Sequence, residues 1–401
     1  MAKPEIRLKG FEGEWEKYPF HVVAKPYFVS NKFVHHQNLL SLSYGKIKRK
    51  DINSGKGLLP ASFDTYQIIK DGIIVFRFTD LQNDKKSLRV GLAKEEGIIS
   101  PAYVCVECEN VSPEFLFLQL YSYDLRKVFY SMGDGLRQTL SYNDVKEIAI
   151  YVPSDKEQKL IIDYFNSLES DILSAESKLA SLKQMKSACL VSMFPQAGET
   201  TPRVRFKEFN GEWECKPLCN FCKKVIKKNQ KLEYRITLTN SAEHGIINQL
   251  DYFDHDISNG DNIKGYYVVE NDDFVYNPRI SVSAPVGPIN RNTLGYAGVM
   301  SPLYYVFRVH GIDKDYLSVF FKTTIWHKFM KDYGNSGARF DRLSISDDVF
   351  VQMPISYPKD IKEQQCIASY FRSLDKQISL QEQRLEKLKQ IKAACLDKMF
   401  V

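Results

Sequence analysis

Long apolar runs, strong net charge and dense cysteine are all missing from this chain of 401 residues. No stretch approaches the roughly eighteen consecutive apolar residues of a membrane-spanning helix, and residues 1–7 are not followed by the apolar core of a signal peptide. Eight cysteines are too few for a secreted disulfide scaffold of this length. We therefore expect a cytoplasmic protein with reduced thiols and no membrane partner. The net charge of +6 permits a nucleic-acid partner without requiring one.

Motifs that carry catalysis or hold cofactors are also missing. Gly55-Lys56-Gly57 does not fit a phosphate-binding P-loop, and no glycine-rich dinucleotide motif follows a strand. Asn277-Pro278-Arg279 lacks the second proline and the aromatic residue of an amino-methyltransferase motif. Neither a His-Glu-x-x-His helix nor a nucleophile elbow occurs. We predict no catalytic residues and no cofactor in this chain.

Two Cys-x-x-Cys pairs, Cys105/Cys108 and Cys219/Cys222, are the nearest approach to a metal site. A zinc site needs two such pairs brought together, whereas Cys105 and Cys108 lie in a predicted strand, where residues three apart point to opposite faces. His35-His36 has no partner motif, and we expect it in a surface loop. The sequence therefore favours no metal site.

An internal repeat is the strongest feature that the chain does contain. Six blocks recur in the same order, at an offset that grows from 198 to 206 residues. The ends of the two halves agree closely, whereas the interiors (20–95 and 220–295) agree poorly. The similar ends are therefore expected to have the same role in both halves, and the dissimilar interiors are expected to have a different role in each half. The paired blocks are Phe11–Glu16 with Phe209–Glu214, Gly97–Pro101 with Gly298–Pro302, Gly135–Arg137 with Gly337–Arg339, Glu157-Gln158 with Glu363-Gln364, Tyr164–Leu168 with Tyr370–Leu374, and Lys183–Leu190 with Lys389–Leu396.

Each half ends in a long predicted helix. Residues 155–194 and 359–400 contain no proline or glycine and follow Pro153 and Pro358. Ser154 or Asp155 can cap the first helix, and Asp360 the second. Apolar residues recur every seven positions in two rows, which predicts the a/d seam of a coiled coil. The predicted seam residues are Ile161, Phe165, Leu168, Ile172, Leu179, Leu182, Ile367, Phe371, Leu374, Ile378, Leu385 and Leu388.

A seven-residue stripe suits a helical partner of equal length, and the obvious partner is the other copy. The alternative is that each helix packs only on its own globular part. If the helices are antiparallel, a pseudo-twofold axis relates the two halves, and helices of about forty residues span about 60 Å, or at most about seventeen base pairs. Lys186 and Lys392 occupy matched positions in the seam, where they fix the register or reach the rim. We expect the rim.

The remaining parts of the halves are mixed α/β modules. Strand-like runs such as Gly72–Phe78, Tyr103–Cys108 and Tyr304–Val309 alternate with turn signals such as Asn53–Gly55 and Ser258–Asp261. One helical stretch is predicted in each module, near 113–130 and 313–332. The predicted fold class is α+β, with two mixed α/β modules separated by two long antiparallel helices. The predicted segments are 1–153 and 203–358 (modules), 154–195 and 359–401 (helices) and 196–202 (linker).

Basic residues cluster in these modules and are the candidates for DNA contacts, because phosphates are bound by Lys and Arg. Each cluster is alternatively a solvated face. The Gly-x-Arg element occurs in both halves, which makes it either a shared DNA contact or a structural turn. The candidate residues are Lys46, Lys48, Arg49, Lys50, Arg137, Lys223, Lys224, Arg279, Arg291 and Arg339.

The order of these blocks resembles the DNA sequence-specificity (S) subunit of type I restriction–modification systems. The order is aromatic-x-Gly-x-Trp, a variable module, Gly-x-x-Ser-Pro, Gly-x-Arg, and a proline followed by Glu-Gln at the start of a long helix. The resemblance covers essentially the whole chain, and the duplicated Glu-Gln helix with its Lys-Gln-x-Lys end is its most specific part. Residues 17–45 depart from it, since they lack a strong match to the start of the second half.

The resemblance implies that each module is a target-recognition domain that reads one half of a bipartite site in double-stranded DNA. It implies that the helices form a spacer and dock two methyltransferase (M) subunits, with or without two restriction (R) subunits. Those partners, and not this chain, would bind S-adenosylmethionine, ATP and Mg. The alternatives are a coiled-coil adaptor whose modules bind protein, and a divergent DNA-modifying enzyme.

Overall fold

The computed structural model describes residues 3–51, 60, 62–79, 81, 88–132, 139–252, 262–335 and 341–401. Contacts divide the chain into unit 1, which is Met1–Ser177 with Glu382–Val401, and unit 2, which is Lys178–Gln381. Each unit therefore holds one sheet-rich part and a portion of both long helices, whereas the sequence-based segments treat the helices as separate. Among the described residues, no helix has the length and apolar character needed to cross a bilayer.

Unit 1 is built from short antiparallel strands. They are, in chain order, β1 (Glu16–Pro19), β2 (Ala24–Pro26), β3 (Leu40–Ser43), β4 (Lys46–Arg49), β5 (Gln67–Ile69), β6 (Ile74–Phe76), β7 (Val90–Leu92), β8 (Gly97–Ile99), β9 (Val104–Cys108) and β10 (Ala149–Val152). In the described part of the unit, β2-β9-β6-β7 form one sheet, and β1-β10, β3-β4 and β5-β8 form pairs. The central strand β6 is apolar and buried at every position, as expected for a strand covered on both faces. The helices are α1 (Phe20–Val23), α2 (Pro113–Leu125), α3 (Tyr142–Val145) and α4 (Asp155–Ser192).

Unit 2 repeats this arrangement. Its strands are β11 (Glu214–Pro217), β12 (Cys222–Lys224), β13 (Leu238–Ser241), β14 (Gly245–Asn248), β15 (Tyr267–Val269), β16 (Phe274–Tyr276), β17 (Ile289–Arg291), β18 (Gly298–Met300), β19 (Tyr305–Val309) and β20 (Pro354–Tyr357). The sheet β12-β19-β16-β17 and the pairs β11-β20, β13-β14 and β15-β18 follow from unit 1 when ten is added to each strand number. The interiors therefore share their strand pairing although their sequences agree poorly, because the burial pattern can persist when residue identities change.

The prediction of one helical stretch in unit 2 is wrong in its continuity. The helical stretch expected near 313–332 is two short helices, because the Thr323 hydroxyl donates to the Phe320 carbonyl and accepts from the Ile325 amide. Such local side-chain bonds compete with the helical backbone pattern. The helices are α5 (Gln249–Tyr252), α6 (Lys314–Phe320), α7 (His327–Tyr333), α8 (Asp347–Phe350) and α9 (Ile361–Lys398).

The two long helices α4 and α9 begin and end within two residues of the predicted proline- and glycine-free stretches 155–194 and 359–400. The Asp360 carboxylate accepts the Lys362 amide at 2.9 Å, which confirms it as the cap of α9. Every predicted seam residue is buried or half-buried. Lys186 and Lys392 are about a quarter exposed (27% and 26%) and pair with carboxylates of the facing helix, as expected for side chains at the rim.

Within each unit the two long helices contact each other in antiparallel order. In unit 1, Tyr164 contacts Cys395 at 3.3 Å, and Glu169 pairs with Lys392. In unit 2, Tyr370 contacts Cys189 at 3.5 Å, and Asp375 pairs with Lys186 at 2.5 Å. Adding 206 to each α4 residue, or subtracting it from each α9 residue, converts one set of contacts into the other. Each contact therefore recurs with the roles of the helices exchanged.

The repeated tryptophan anchors the end of a long helix in each unit. Trp15 packs edge-on against Phe400 with ring centroids 6.4 Å apart, and Trp213 packs against Phe194 at 5.9 Å. Phe194 and Phe400 are themselves 206 residues apart and almost fully buried. The aromatic-x-Gly-x-Trp block thus joins the start of each sheet-rich part to the helix that ends beside it.

Candidate nucleic-acid interface

The repeated Glu-Gln pair fixes the start of each long helix to the sheet-rich part. In unit 1, Arg7 binds both carboxylate oxygens of the buried Glu157, each at 2.8 Å. In unit 2, Arg205 binds Glu363 in the same way at 2.7 and 2.8 Å. The hydrogen bond to Glu157 raises the pKa of Arg7. These arginines were missed in the sequence, although their spacing of 198 matches the repeat offset.

The glutamine of the same pair reaches a second helix. The Gln158 side-chain oxygen accepts the Ser112 amide at 3.1 Å, immediately before α2, and Gln364 accepts the Asp313 amide at 2.8 Å, before α6. The side-chain amides donate to Pro153 and Pro358. The shared sequence blocks therefore build a framework, which leaves the variable parts free to differ.

A buried asparagine closes a matching surface loop in each unit. Asn31 exchanges hydrogen bonds with the His36 backbone (2.7 and 3.2 Å), and Asn229 does so with Tyr234 (3.1 and 2.7 Å). We call residues 28–36 and 226–235 the asparagine-closed loops. His35-His36 lies in the first of them, as predicted.

The two asparagine-closed loops present different chemistry. The loop of unit 1 exposes large apolar side chains, with Phe33 85% and Phe28 66% exposed. The loop of unit 2 exposes Lys227, Lys228 and Lys231. The first loop thus exposes two aromatic rings beside Lys32, and the second exposes three lysines beside Ile226, which is 77% exposed.

The basic candidates of unit 1 lie on or beside β4. Lys46 pairs with Glu169 at 2.9 Å, and Arg49 pairs with Glu95 at 2.7 Å between Nε and the carboxylate. The hydrogen bond to Glu95 raises the pKa of Arg49. Lys48 and Lys50 are exposed. Two of these four candidates thus have carboxylate partners inside the unit.

The basic candidates of unit 2 fall into two groups. Arg291 is largely buried and pairs with Asp315 and Asp272, which places it inside the fold. Lys224 pairs with Asp347, and this hydrogen bond raises the pKa of Lys224. Lys223 and Arg279 are exposed. The candidates Arg137 and Arg339 lie outside the described residues, as do the turn signals at 53–55 and 258–261 and the Gly55-Lys56-Gly57 sequence.

Unit 2 brings several of its cations together with tyrosines. One cavity of about 320 Å³ is lined by Lys224, Tyr267 and Arg342 among others, and Tyr304 lines both this cavity and a second one of about 330 Å³ beside Arg279. Lys228 lies 5.9 Å from the Tyr267 ring centre. Cations that bind phosphates are the chemistry of nucleic-acid surfaces, and tyrosine hydroxyl groups also hydrogen-bond to phosphates. We call this set the basic-aromatic face of unit 2: Lys224, Lys227, Lys228, Tyr267, Arg279, Tyr304 and Arg342.

The cysteines are free thiols and do not converge with other ligands. Burial raises the pKa of Cys105 to about 12 and that of Cys108 to about 12, so both are held as thiols. Within the described part of the chain, no group of three or more His, Cys, Asp or Glu side chains is placed to hold a metal ion.

A comparison with known protein families finds one whose model matches part of this chain. Residues 210–390 match the model of the type I restriction modification DNA specificity domain. These residues belong to that family. The match includes the second Glu-Gln block and most of α9, so the resemblance drawn from the repeat blocks is confirmed. No curated protein matches the chain.

Solved structures of specificity subunits share the fold of the whole chain. The S subunit of a type I system from M. genitalium aligns with a TM-score of 0.54 and 12% identity, covering 100% of this chain and 99% of that one. The HsdS subunit from Thermoanaerobacter tengcongensis aligns with a TM-score of 0.50 and 15% identity over 96% of each chain. A chain from a study of complex assembly and conformational transition of the type I R-M system aligns with a TM-score of 0.52 and 17% identity, over 96% and 97%.

Proposed function

We propose that this chain is the non-catalytic, DNA-reading subunit of a cytoplasmic type I restriction–modification complex. Unit 1 reads one half of a bipartite duplex site and unit 2 reads the other. The long helices set the gap between the half-sites and dock two M subunits, with or without two R subunits. S-adenosylmethionine, ATP and Mg are then bound by those partners.

The observation that carries the proposal is that the two units share one strand order but have different exposed surfaces. The sheets of the two units pair identically, and the shared blocks form matching contacts around Glu157 and Glu363. The asparagine-closed loops differ, with exposed Phe28 and Phe33 in one and lysines in the other. A repeated scaffold with different surfaces is what a protein needs to read two different half-sites.

The basic-aromatic face supports DNA as the partner of unit 2. Lys227 and Lys228 each lie within 6 Å of a tyrosine ring centre, at 5.5 and 5.9 Å, and Arg279 is exposed and lines a cavity together with Tyr304. Phosphate contacts by such cations position a protein on the duplex, and the adjoining polar and aromatic groups read the bases.

The exchanged helix contacts support the spacer role. A pair of identical patches related by a twofold axis makes every contact twice with the roles exchanged, and the pairs Tyr164–Cys395 and Tyr370–Cys189 follow this rule. The same holds for the ring pairs Phe165–Phe400 and Phe371–Phe194. We infer an antiparallel coiled coil with internal pseudo-twofold symmetry, around which the segments 154–195 and 359–401 act as one spacer.

Adenine methylation of the host chromosome tests the proposal. The host strain is compared with a strain from which this gene is deleted, while the methyltransferase gene is kept. The proposal predicts a two-part methylated motif with a fixed gap that disappears with the deletion. Methylation that is unchanged by the deletion, or a one-part motif, contradicts it.

A further inference from the structure

An ordered apical loop of unit 2 carries an apolar side chain that the fold does not use. We define the apical loop as residues 279–284. Val282 at its tip is completely exposed, at 105% of the reference accessibility. The tip is nevertheless closed by hydrogen bonds in both directions between Ser281 and Ala284, at 3.0 and 3.2 Å. An ordered loop keeps this apolar side chain in one position, where a partner surface is able to contact it.

The base of the apical loop rests on a buried network of amides. The Asn277 side chain donates to the Asn240 carbonyl at 2.8 Å and accepts the Arg279 amide at 3.0 Å. The Asn290 side chain donates to the Asn240 side chain at 2.7 Å. Lys322 donates to Asn290 at 2.6 Å, and burial lowers the pKa of this lysine. Fully satisfied buried networks rigidify their surroundings, so the loop is held in one conformation.

Two further contacts fix the stem of the apical loop. The Ile280 amide donates to the Asp341 carbonyl at 3.0 Å, and the Leu343 amide donates to the Pro278 carbonyl at 2.9 Å. Gly287, which follows the loop, has a φ of +80°, and a Cβ atom there would lie 2.1 Å from the Asn277 oxygen. Only glycine fits this close approach. These two hydrogen bonds and the close approach at Gly287 therefore hold the stem of the apical loop in place.

The cavity beside the apical loop, which Ser281 and Ser283 line and Val282 does not, presents groups of the kind that recognise base edges. The cavity beside the loop is lined by hydroxyl and amide groups of Thr239, Ser241, Asn277 and Ser283, together with Arg279 and one carboxylate, Glu243. Hydroxyl, amide and guanidinium groups are those that hydrogen-bond base edges in the major groove, where the thymine methyl group offers an apolar contact. The basic-aromatic face continues from this cavity through Tyr304.

We propose that the apical loop is the base-reading element of unit 2 and that Val282 determines specificity by apolar contact with a base edge in the major groove. This inference rests on the proposed DNA-reading function. Ser281 and Ser283 flank the contact with their hydroxyl groups, and Arg279 anchors the loop to a phosphate or to a guanine. Val282 therefore governs one or two adjacent base pairs of a single half-site.

Selection of duplexes from a pool with two randomised half-sites tests this inference. The complex of the full chain with its M subunits is purified from the host as wild type, Val282→Ala, Val282→Ser and the control Val204→Ala. Val204 is a second exposed valine of unit 2, 51% exposed, outside the basic-aromatic face. We expect the Val282 variants to lose about fivefold or more of the preference at one or two adjacent positions, with the other half-site unchanged. The Val204→Ala complex should select the wild-type site.

Two results would overturn the inference while the proposed function stands. The Val282 variants could select the wild-type site unchanged, or they could lose affinity equally for all sequences or for the M subunits. A wild-type complex that selects no two-part site would overturn the proposed function itself. Because Val282 is exposed, the melting temperatures of all four complexes should agree, which separates a change in specificity from a loss of folding.

Discussion

At the scale of single residues, the Arg–Glu pairs at the start of the long helices have the largest energetic consequence. Glu363 is 1% exposed, and Arg205 supplies two of its hydrogen bonds while Trp213 supplies a third at 3.3 Å. A carboxylate in such a site is stable only while its cation is present, because removal of the partner leaves an uncompensated buried charge.

Arg205→Met should therefore lower the free energy of unfolding by about 3–5 kcal/mol. Urea denaturation measures this loss. The control is Arg203→Met, since Arg203 pairs with Glu199 at an exposed site and should cost less than about 1 kcal/mol. The double variant Arg205→Met with Glu363→Gln should recover part of the loss. Equal small losses for both arginines would show that Glu363 does not need its partner.

Asp124 gives unit 1 a pH-dependent stability. Its carboxylate is fully buried and accepts the amides of Arg89 and Val90, while Oδ1 has no hydrogen-bond partner among the described residues. Burial raises the pKa of Asp124 to about 6. Since this lies above the unfolded value of about 3.9, folding favours the protonated form, and stability falls as the pH rises from about 4 to 6.

Asp124→Asn removes that charge, so its advantage over the wild type should grow by about 1 kcal/mol between pH 5 and pH 7.5. Denaturation of both proteins at the two pH values measures the change. Asp163→Asn, at an exposed position of α4, is the control and should show no such growth. A difference between Asp124→Asn and wild type that is independent of pH would mean that the buried carboxyl is not protonated on folding.

Several cations suggested by clustering are used inside the fold, and the sequence could not have revealed this. Lys46 pairs with Glu169 and Arg291 with Asp315, and such partners are distant along the chain. Arg7 and Arg205 were predictable in principle, because both recur at the repeat offset, but an isolated matched arginine does not reveal its partner. The apical loop carries no sequence motif at all, and only its exposure and its hydrogen bonds distinguish it.

At the scale of elements, the long helices were predictable and the sheets were not. The seven-residue period and the flanking prolines place both helices within two residues of their ends, because helical contacts are local in sequence. Strand pairing is set by distant residues, so the common strand order of the two units was invisible in interiors with different sequences. The break between α6 and α7 was missed since it depends on the hydroxyl of Thr323.

Phe194 tests how firmly the end of a long helix is fixed within unit 2. Its ring is fully buried and contacts Trp213, Tyr316, Phe320 and Phe371. Phe194→Ala should lower the free energy of unfolding by about 3–5 kcal/mol, because it removes a large buried ring. Val191→Ala, which alters a 53% exposed residue in the last turn of α4, should change it by less than about 0.5 kcal/mol. A loss at Phe194 as small as that at Val191 would contradict the packing described for unit 2.

At the scale of the whole molecule, the proposed function makes the helices a ruler. Each long helix has 38 residues, and a helix rises about 1.5 Å per residue. Removal of one heptad shortens a helix by about 10 Å, which equals about three base pairs. Because the seam repeats every seven residues, deletion of one heptad from each helix keeps the apolar rows in register.

The most direct test is therefore the gap of the methylated motif after deletion of 175–181 together with 381–387. Adenine methylation is mapped in a host that carries the shortened chain in place of the natural one. We expect the same two half-sites with a gap shorter by about three base pairs. A deletion of the 175–181 heptad alone leaves the two helices unequal in length, so the contacts Tyr164–Cys395 and Tyr370–Cys189 cannot form together, and methylation should be abolished. An unchanged gap in a stable, active complex with the double deletion would show that the helices do not set the distance between the two reading units.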